Sequence, residues 1–137
     1  MRGGISLQAV LVFSMAVAIF GLAAGTAQAV DGTWTATSAG NWSDTTKWLD
    51  GAVADGQFAT ANITSNIGSN IAVTIDGAVA SRTLGILNIG DTNNSHAFTI
   101  NASDGGTLTF DNGANAAQIN QGDQSKTNTI SAPIVLL

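Results

Sequence analysis

The sequence contains no cysteine, no tyrosine, no glutamate and a single proline. The absence of cysteine excludes disulfides, thiolate nucleophiles and cysteine-based zinc sites. All nine acidic residues are aspartates, which favour turns, whereas the missing glutamate is a helix-favouring residue. The composition therefore predicts an all-β chain. Extended backbone pairing, bound ions or inclusion in a longer structure would have to stabilise it in place of cross-links.

Positive charge is also scarce, with four basic residues and a formal net charge of −5. Counted from Val30 onward, only Lys47, Arg82 and Lys126 face the nine aspartates, which gives a net charge of −6. Such a chain cannot form the cationic surface that phosphate backbones require. Nucleic acid is therefore excluded as a partner.

The only long apolar run lies at the N-terminus, over residues 5–24. It follows the positively charged Met1-Arg2 and precedes the small-residue string Ala27-Gln28-Ala29. This order predicts a helical signal peptide over residues 1–29, with cleavage after Ala29, so that the chain meets the membrane only through this segment. The alternative is an uncleaved anchor, since about 20 apolar residues can span a bilayer. Either way the protein is expected to be exported to the periplasm, outer membrane, cell surface or extracellular space.

A short two-sided pattern recurs from about Ala59: an apolar residue, Thr or Gln, a second apolar residue, then Asn or Asp. The copies are Val73-Thr74-Ile75-Asp76, Phe98-Thr99-Ile100-Asn101, Leu108-Thr109-Phe110-Asp111 and Ala117-Gln118-Ile119-Asn120, with looser ones at Ala61-Asn62-Ile63-Thr64 and Ile86-Leu87-Asn88-Ile89. Alternation with a period of two places the apolar pair on one face of a strand. Where such strands stack, asparagine side chains can align along the stack.

Two architectures agree with strands every 9 to 14 residues. One is a β-solenoid, or parallel β-helix, with two or three strands in each coil of about 20 to 35 residues. The other is a β-sandwich built from hairpins. The scarcity of bulky residues favours the solenoid. The expected organisation is a signal peptide (1–29), a Trp-rich N-terminal β cap (30–58) and repeated short strands of a solenoid (59–137). The solenoid is expected to be truncated, because the last apolar run stops without a polar cap.

Three tryptophans, Trp34, Trp42 and Trp48, lie close together in the predicted cap. Large aromatic side chains can cover the apolar end of a solenoid, with the indole N–H at the rim. Solvent-facing tryptophans can instead stack on sugar rings. The cluster is therefore a candidate end cap or a candidate carbohydrate site.

Residues suited to catalysis or metal binding are few and lie in turn-like strings. Asp104 and Asp111 each adjoin Gly or Asn, and the single histidine, His96, lies in a polar run without a nucleophile motif. Asp91, Asn93 and the same two aspartates offer oxygen ligands for calcium, but no calcium-binding loop motif is present. No enzyme activity, metal or cofactor is predicted.

The tryptophan string with Gly40-Asn41-Trp42-Ser43, the strand and turn 108–113, and the segment 128–136 resemble the autotransporter-associated β-strand repeat proteins of bacteria. The resemblance implies a passenger-like β-solenoid at or outside the cell surface. The expected function is a structural stalk or passenger segment with an adhesive role, whose partners are surface polysaccharide or further coils of a longer chain. The alternative is a secreted carbohydrate-binding β-sandwich that uses Trp34, Trp42 and Trp48.

Overall fold

A computed structural model describes residues 28–77, 81–122 and 126–137. The predicted signal peptide lies outside these ranges, except for its last two residues. Among the described residues, no helix is both long enough and apolar enough to cross a membrane.

The described residues form short strands and two 3-10 helices. The strands are β1 (Gly32–Thr33), β2 (Gly40–Asn41), β3 (Thr60–Ile63), β4 (Ile71–Ile75), β5 (Ser81–Leu84), β6 (Ile86–Ile89), β7 (Phe98–Ala102), β8 (Thr107–Phe110), β9 (Gln118–Gln121), β10 (Thr129–Ile130) and β11 (Ile134–Leu136). The 3-10 helices, Thr45–Lys47 and Leu49–Gly51, lie between β2 and β3.

The strands form three parallel sheets that run along a β-solenoid of about four coils. Their orders are β1-β3-β6-β9, β2-β4-β7-β10 and β5-β8-β11. The chain visits the three sheets in turn, so each complete coil supplies one strand to each. Every pairing between these strands is parallel. The predicted solenoid is confirmed, and the alternative of antiparallel hairpins in a sandwich is wrong.

The coil length lies within the predicted range. Gly32, Ala61, Leu87 and Ile119 are register partners in the first sheet, and they lie 29, 26 and 32 residues apart. Each complete coil contains three strands, which is one of the two predicted possibilities.

Alternating side chains build the core as columns along the solenoid axis. In the second sheet, Val73 is in register with Ile100, which is in register with Ile130. In the third sheet, the corresponding column is Leu84, Phe110 and Leu136. Along each strand, the residues that alternate with these apolar ones are more exposed and face outward, as the two-sided pattern predicts. Thr74, Thr99 and Thr109 are examples.

The corners between the third and first sheets differ in length from one coil to the next. Only Gly85 separates β5 from β6, whereas residues 111–117 separate β8 from β9. Gly85 is buried, and a Cβ atom there would lie 2.6 Å from Asn112 Oδ1 and 2.8 Å from Phe58 Cα. Because Gly85 has no side chain, the segments that contain Phe58 and Asp111, which belong to the coils before and after it, come close together. Phe58 N donates to Asp111 O at 3.1 Å.

Candidate functional site

The three tryptophans form one cluster at the N-terminal end of the solenoid, which we call the tryptophan cluster. Trp34 and Trp48 pack edge to face, with ring centroids 5.4 Å apart and planes at 86°. Trp42 and Trp48 have centroids 5.1 Å apart with planes at 54°. Such tilted arrangements suit the ring quadrupoles. The cluster lies over the first complete coil, because Trp34 N donates to Asn62 O and Trp42 N to Thr74 O.

The tryptophan rings are closed to solvent. Trp34 and Trp42 are 0% exposed and Trp48 is 3% exposed. The indole N–H of Trp42 donates to Ala54 O at 3.0 Å, and that of Trp48 donates to Trp42 O at 2.8 Å. In this arrangement no ring face is open for a sugar to stack on.

The opposite end of the described solenoid presents core positions to solvent. We call this surface the open end; it consists of Ile119, Ile130, Ile134 and Leu136. Each is in register with a buried residue one coil earlier: Leu87, Ile100, Leu108 and Phe110. Yet Ile119 is 49% exposed, Ile134 46% and Leu136 74%. These four residues belong to β9, β10 and β11, which are the edge strands of the three sheets at this end.

An asparagine ladder, formed by Asn62, Asn88 and Asn120, follows the outer face of the first sheet. Asn88 Nδ2 donates to Asn62 Oδ1 at 2.7 Å, and Asn120 Nδ2 donates to Asn88 Oδ1 at 2.9 Å. In both hydrogen bonds the residue later in the chain donates to the earlier one, so Oδ1 of Asn120 is the next acceptor in the series. The sequence pattern predicts such stacking in general terms. Asn62 and Asn88 lie in the two looser copies and Asn120 ends a strong copy, so the three residues hold different positions in the pattern. Only the register of the strands identifies them as one ladder.

A groove of about 500 Å³ lies beside the last two rungs of the ladder; we call it the ladder groove. Its lining residues are Thr64, Asn88, Ile89, Gly90, Asp91, Thr92, Asn94, Asn120, Gln121 and Gly122. It lies along the C-terminal ends of β3, β6 and β9, the last of which is an edge strand of the open end. Its volume lies within the range usual for small-molecule sites.

Asp91 organises the wall of this groove from a buried position. Its carboxylate accepts hydrogen bonds from the backbone N–H groups of Ile67 (3.2 Å), Ser95 (3.0 Å) and His96 (2.9 Å). Burial raises the pKa of Asp91, but the hydrogen bonds to its ionised form outweigh this effect, so the pKa lies below its usual value. The negative charge is thus satisfied within the fold and fixes the loop 91–96 to the preceding coil.

The remaining candidate residues of the sequence occupy separate corners. His96 Nδ1 lies 2.6 Å from Ser95 Oγ and 3.0 Å from Ile67 O. Asp104 lies in a turn with φ +52, and Asp111 accepts from Gln57 Nε2 at 2.9 Å. The hydrogen bonds from Gln57 and Gly113 lower the pKa of Asp111. Within the described ranges, no group of three or more acidic, histidine or cysteine side chains is placed to hold a metal ion.

Comparison with known proteins found no matching family model, no similar curated protein and no similar solved structure.

Proposed function

We propose that this protein is an exported structural segment, a β-solenoid stalk or passenger with an adhesive role at the cell surface. Support for a structural role comes from the difference between the two ends of the described solenoid. The tryptophan cluster closes one end, whereas the open end presents apolar core positions and strand edges. A solenoid segment with one closed end and one exposed end is suited to stack against a further coil at the exposed end.

The open end has the chemistry of a surface that receives another coil of the same type. Apolar side chains at the register positions of Ile119, Ile134 and Leu136 would continue the core columns. An asparagine or glutamine at the ladder position would donate to Asn120 Oδ1, as Asn120 itself donates to Asn88. This exposed apolar surface is the observation that carries the proposal.

Association in solution tests the open end. In analytical ultracentrifugation, we expect the full chain to associate as its concentration rises and the variant Ile119→Asp/Leu136→Asp to stay monomeric. Leu49→Asp is the matched control, since Leu49 is also half-exposed, at 53%, but lies in a 3-10 helix near the tryptophan cluster. Equal association of the double variant and the control, or no association of the unmodified chain, would count against the open end as a docking surface.

Export needs its own test, because it depends on residues 1–29. An epitope inserted at Gly68, an exposed corner with open space around it, marks the chain without disturbing the core. Intact bacteria that produce the full chain should lose the epitope to external protease, while cells producing a variant without residues 2–29 should retain it. Retention of the epitope in the cytosol by both chains would exclude an exported role.

A further inference from the structure

The ladder groove has a lining of neutral hydrogen-bonding groups. Asn88, Asn120 and Gln121 contribute side-chain amides, and Thr64 contributes a hydroxyl, while Gly90 and Gly122 leave backbone accessible. Amides offer both donors and acceptors, so they can match hydroxyl groups in either role. The groove thus suits a ligand that is rich in hydroxyl groups.

The charges around the groove exclude several other classes of ligand. No lysine or arginine is among its described lining residues, and the whole chain carries a net charge of −5, so an anion would meet no counter-charge from these lining side chains. Among the described lining residues, the only charged side chain is that of Asp91, whose carboxylate already accepts hydrogen bonds from Ile67, Ser95 and His96. A cation would have to compete with those bonds. Neutral ligands remain.

The groove is also largely preformed, which lowers the entropic cost of binding. The bonds of Asp91 hold one wall, and the hydrogen bond between Asn120 and Asn88 orients two of the amides. Gln121 Nε2 makes a long hydrogen bond of 3.4 Å to Lys126 O, which directs its side chain. The groove adjoins the open end, because Asn120 and Gln121 belong to the edge strand β9 and Gln121 is in register with the buried Ile89. A further coil and a ligand in the groove would therefore compete for these two residues.

We propose that the ladder groove binds a neutral polysaccharide, with the amides of Asn120 and Gln121 hydrogen-bonded to its hydroxyl groups. The inference rests on the adhesive role proposed above and gives that role a ligand class and a location. It assigns carbohydrate binding to the ladder groove instead of the tryptophan cluster.

The test is titration calorimetry of the full chain with neutral hexasaccharides of glucose, mannose and xylose, and with hexagalacturonate as an anionic counterpart. We expect at least one neutral hexasaccharide to bind, hexagalacturonate not to bind, and Asn120→Ala/Gln121→Ala to weaken the affinity at least tenfold. The control is Asn101→Ala, since Asn101 is a partly buried strand residue of the second sheet. Thermal unfolding of each variant verifies that its fold is retained.

Two results would overturn the proposal: no binding of any neutral hexasaccharide, or binding that the double variant and the control retain equally. Neither result touches the export assay, which does not depend on glycan binding. A chain that reaches the surface but binds no hexasaccharide therefore refutes the groove alone. A chain that binds a hexasaccharide but stays in the cytosol refutes the proposed function alone.

Discussion

Arg82 is in parallel register with Leu108, so a guanidinium begins a column of core side chains that continues with Ile134. The arginine is 6% exposed, and its Nη1 lies 3.0 Å from Asp55 Oδ2. The other oxygen of Asp55 accepts from Thr83 N at 2.9 Å, at the free edge of β5. The carboxylate of Asp55 therefore pairs with the buried guanidinium of Arg82 and also accepts a hydrogen bond from the backbone of an edge strand.

Removing Asp55 should be much more harmful than replacing Arg82 by an apolar residue. Asp55→Ala leaves the buried charge of Arg82 without its partner, which costs about 3–5 kcal/mol, whereas Arg82→Met leaves only the carboxylate of Asp55, which is 36% exposed and can be hydrated. Urea unfolding of Asp55→Ala and Arg82→Met measures the difference. Asp31→Ala is the control, because Asp31 also accepts from a strand N–H, that of Thr60, and forms no ion pair among the described residues. Equal losses for Asp55→Ala and Arg82→Met would contradict this explanation.

Gly85 should tolerate no side chain. A Cβ there meets the backbone of Phe58, which the packed corner holds in place, and overpacking of this kind costs about 1–3 kcal/mol. Gly68→Ala is the matched control, since no atom lies within 4 Å of its added Cβ and neither glycine has positive φ. Thermal unfolding should show a lowered midpoint for Gly85→Ala and a constant or slightly raised midpoint for Gly68→Ala. A normal midpoint for Gly85→Ala would show that the corner can move apart.

The indole N–H groups of the tryptophan cluster should differ in importance. Trp42→Phe removes the hydrogen bond to Ala54 O and leaves a buried carbonyl unpaired, which costs about 1–3 kcal/mol. Trp34 Nε1 is buried and has no hydrogen-bond partner in the described part of the chain, so Trp34→Phe removes an unsatisfied donor. In urea unfolding we expect Trp42→Phe to be the less stable variant. The reverse order would mean that ring volume, not the hydrogen bond, decides the contribution.

Acid should weaken the fold partly through Asp91. Its pKa is lowered in the folded protein, so the ionised form is favoured by folding. This contribution is complete above the unfolded value of about 3.9 and is lost as the pH falls through the lower folded value. The free energy of unfolding of Asp91→Asn should therefore be smaller at pH 7 and should fall less steeply below pH 4 than that of the unmodified chain. Identical slopes for the two proteins would show that Asp91 contributes nothing to acid sensitivity.

The strand positions were predictable because they depend on local alternation. The two-sided pattern predicts β3, β4, β6, β7, β8 and β9, and the bounds of each strand lie within two residues of the predicted ones. The strand Ser81–Leu84 does not follow the pattern, because Arg82 occupies a position at which the pattern requires an apolar residue. Only the ion pair with Asp55, from a segment 27 residues away, makes a charge acceptable at that position.

Composition and period-two alternation were enough to establish an all-β chain whose apolar residues share one face, since both depend on neighbours in the sequence. The tertiary structure decided which strands stack, and through them the closed tryptophan rings, the direction of the asparagine ladder and the ladder groove. The reason is that register across 26 to 32 residues depends on how corners pack. A single glycine and a seven-residue loop serve as equivalent corners here, and no local pattern specifies that equivalence.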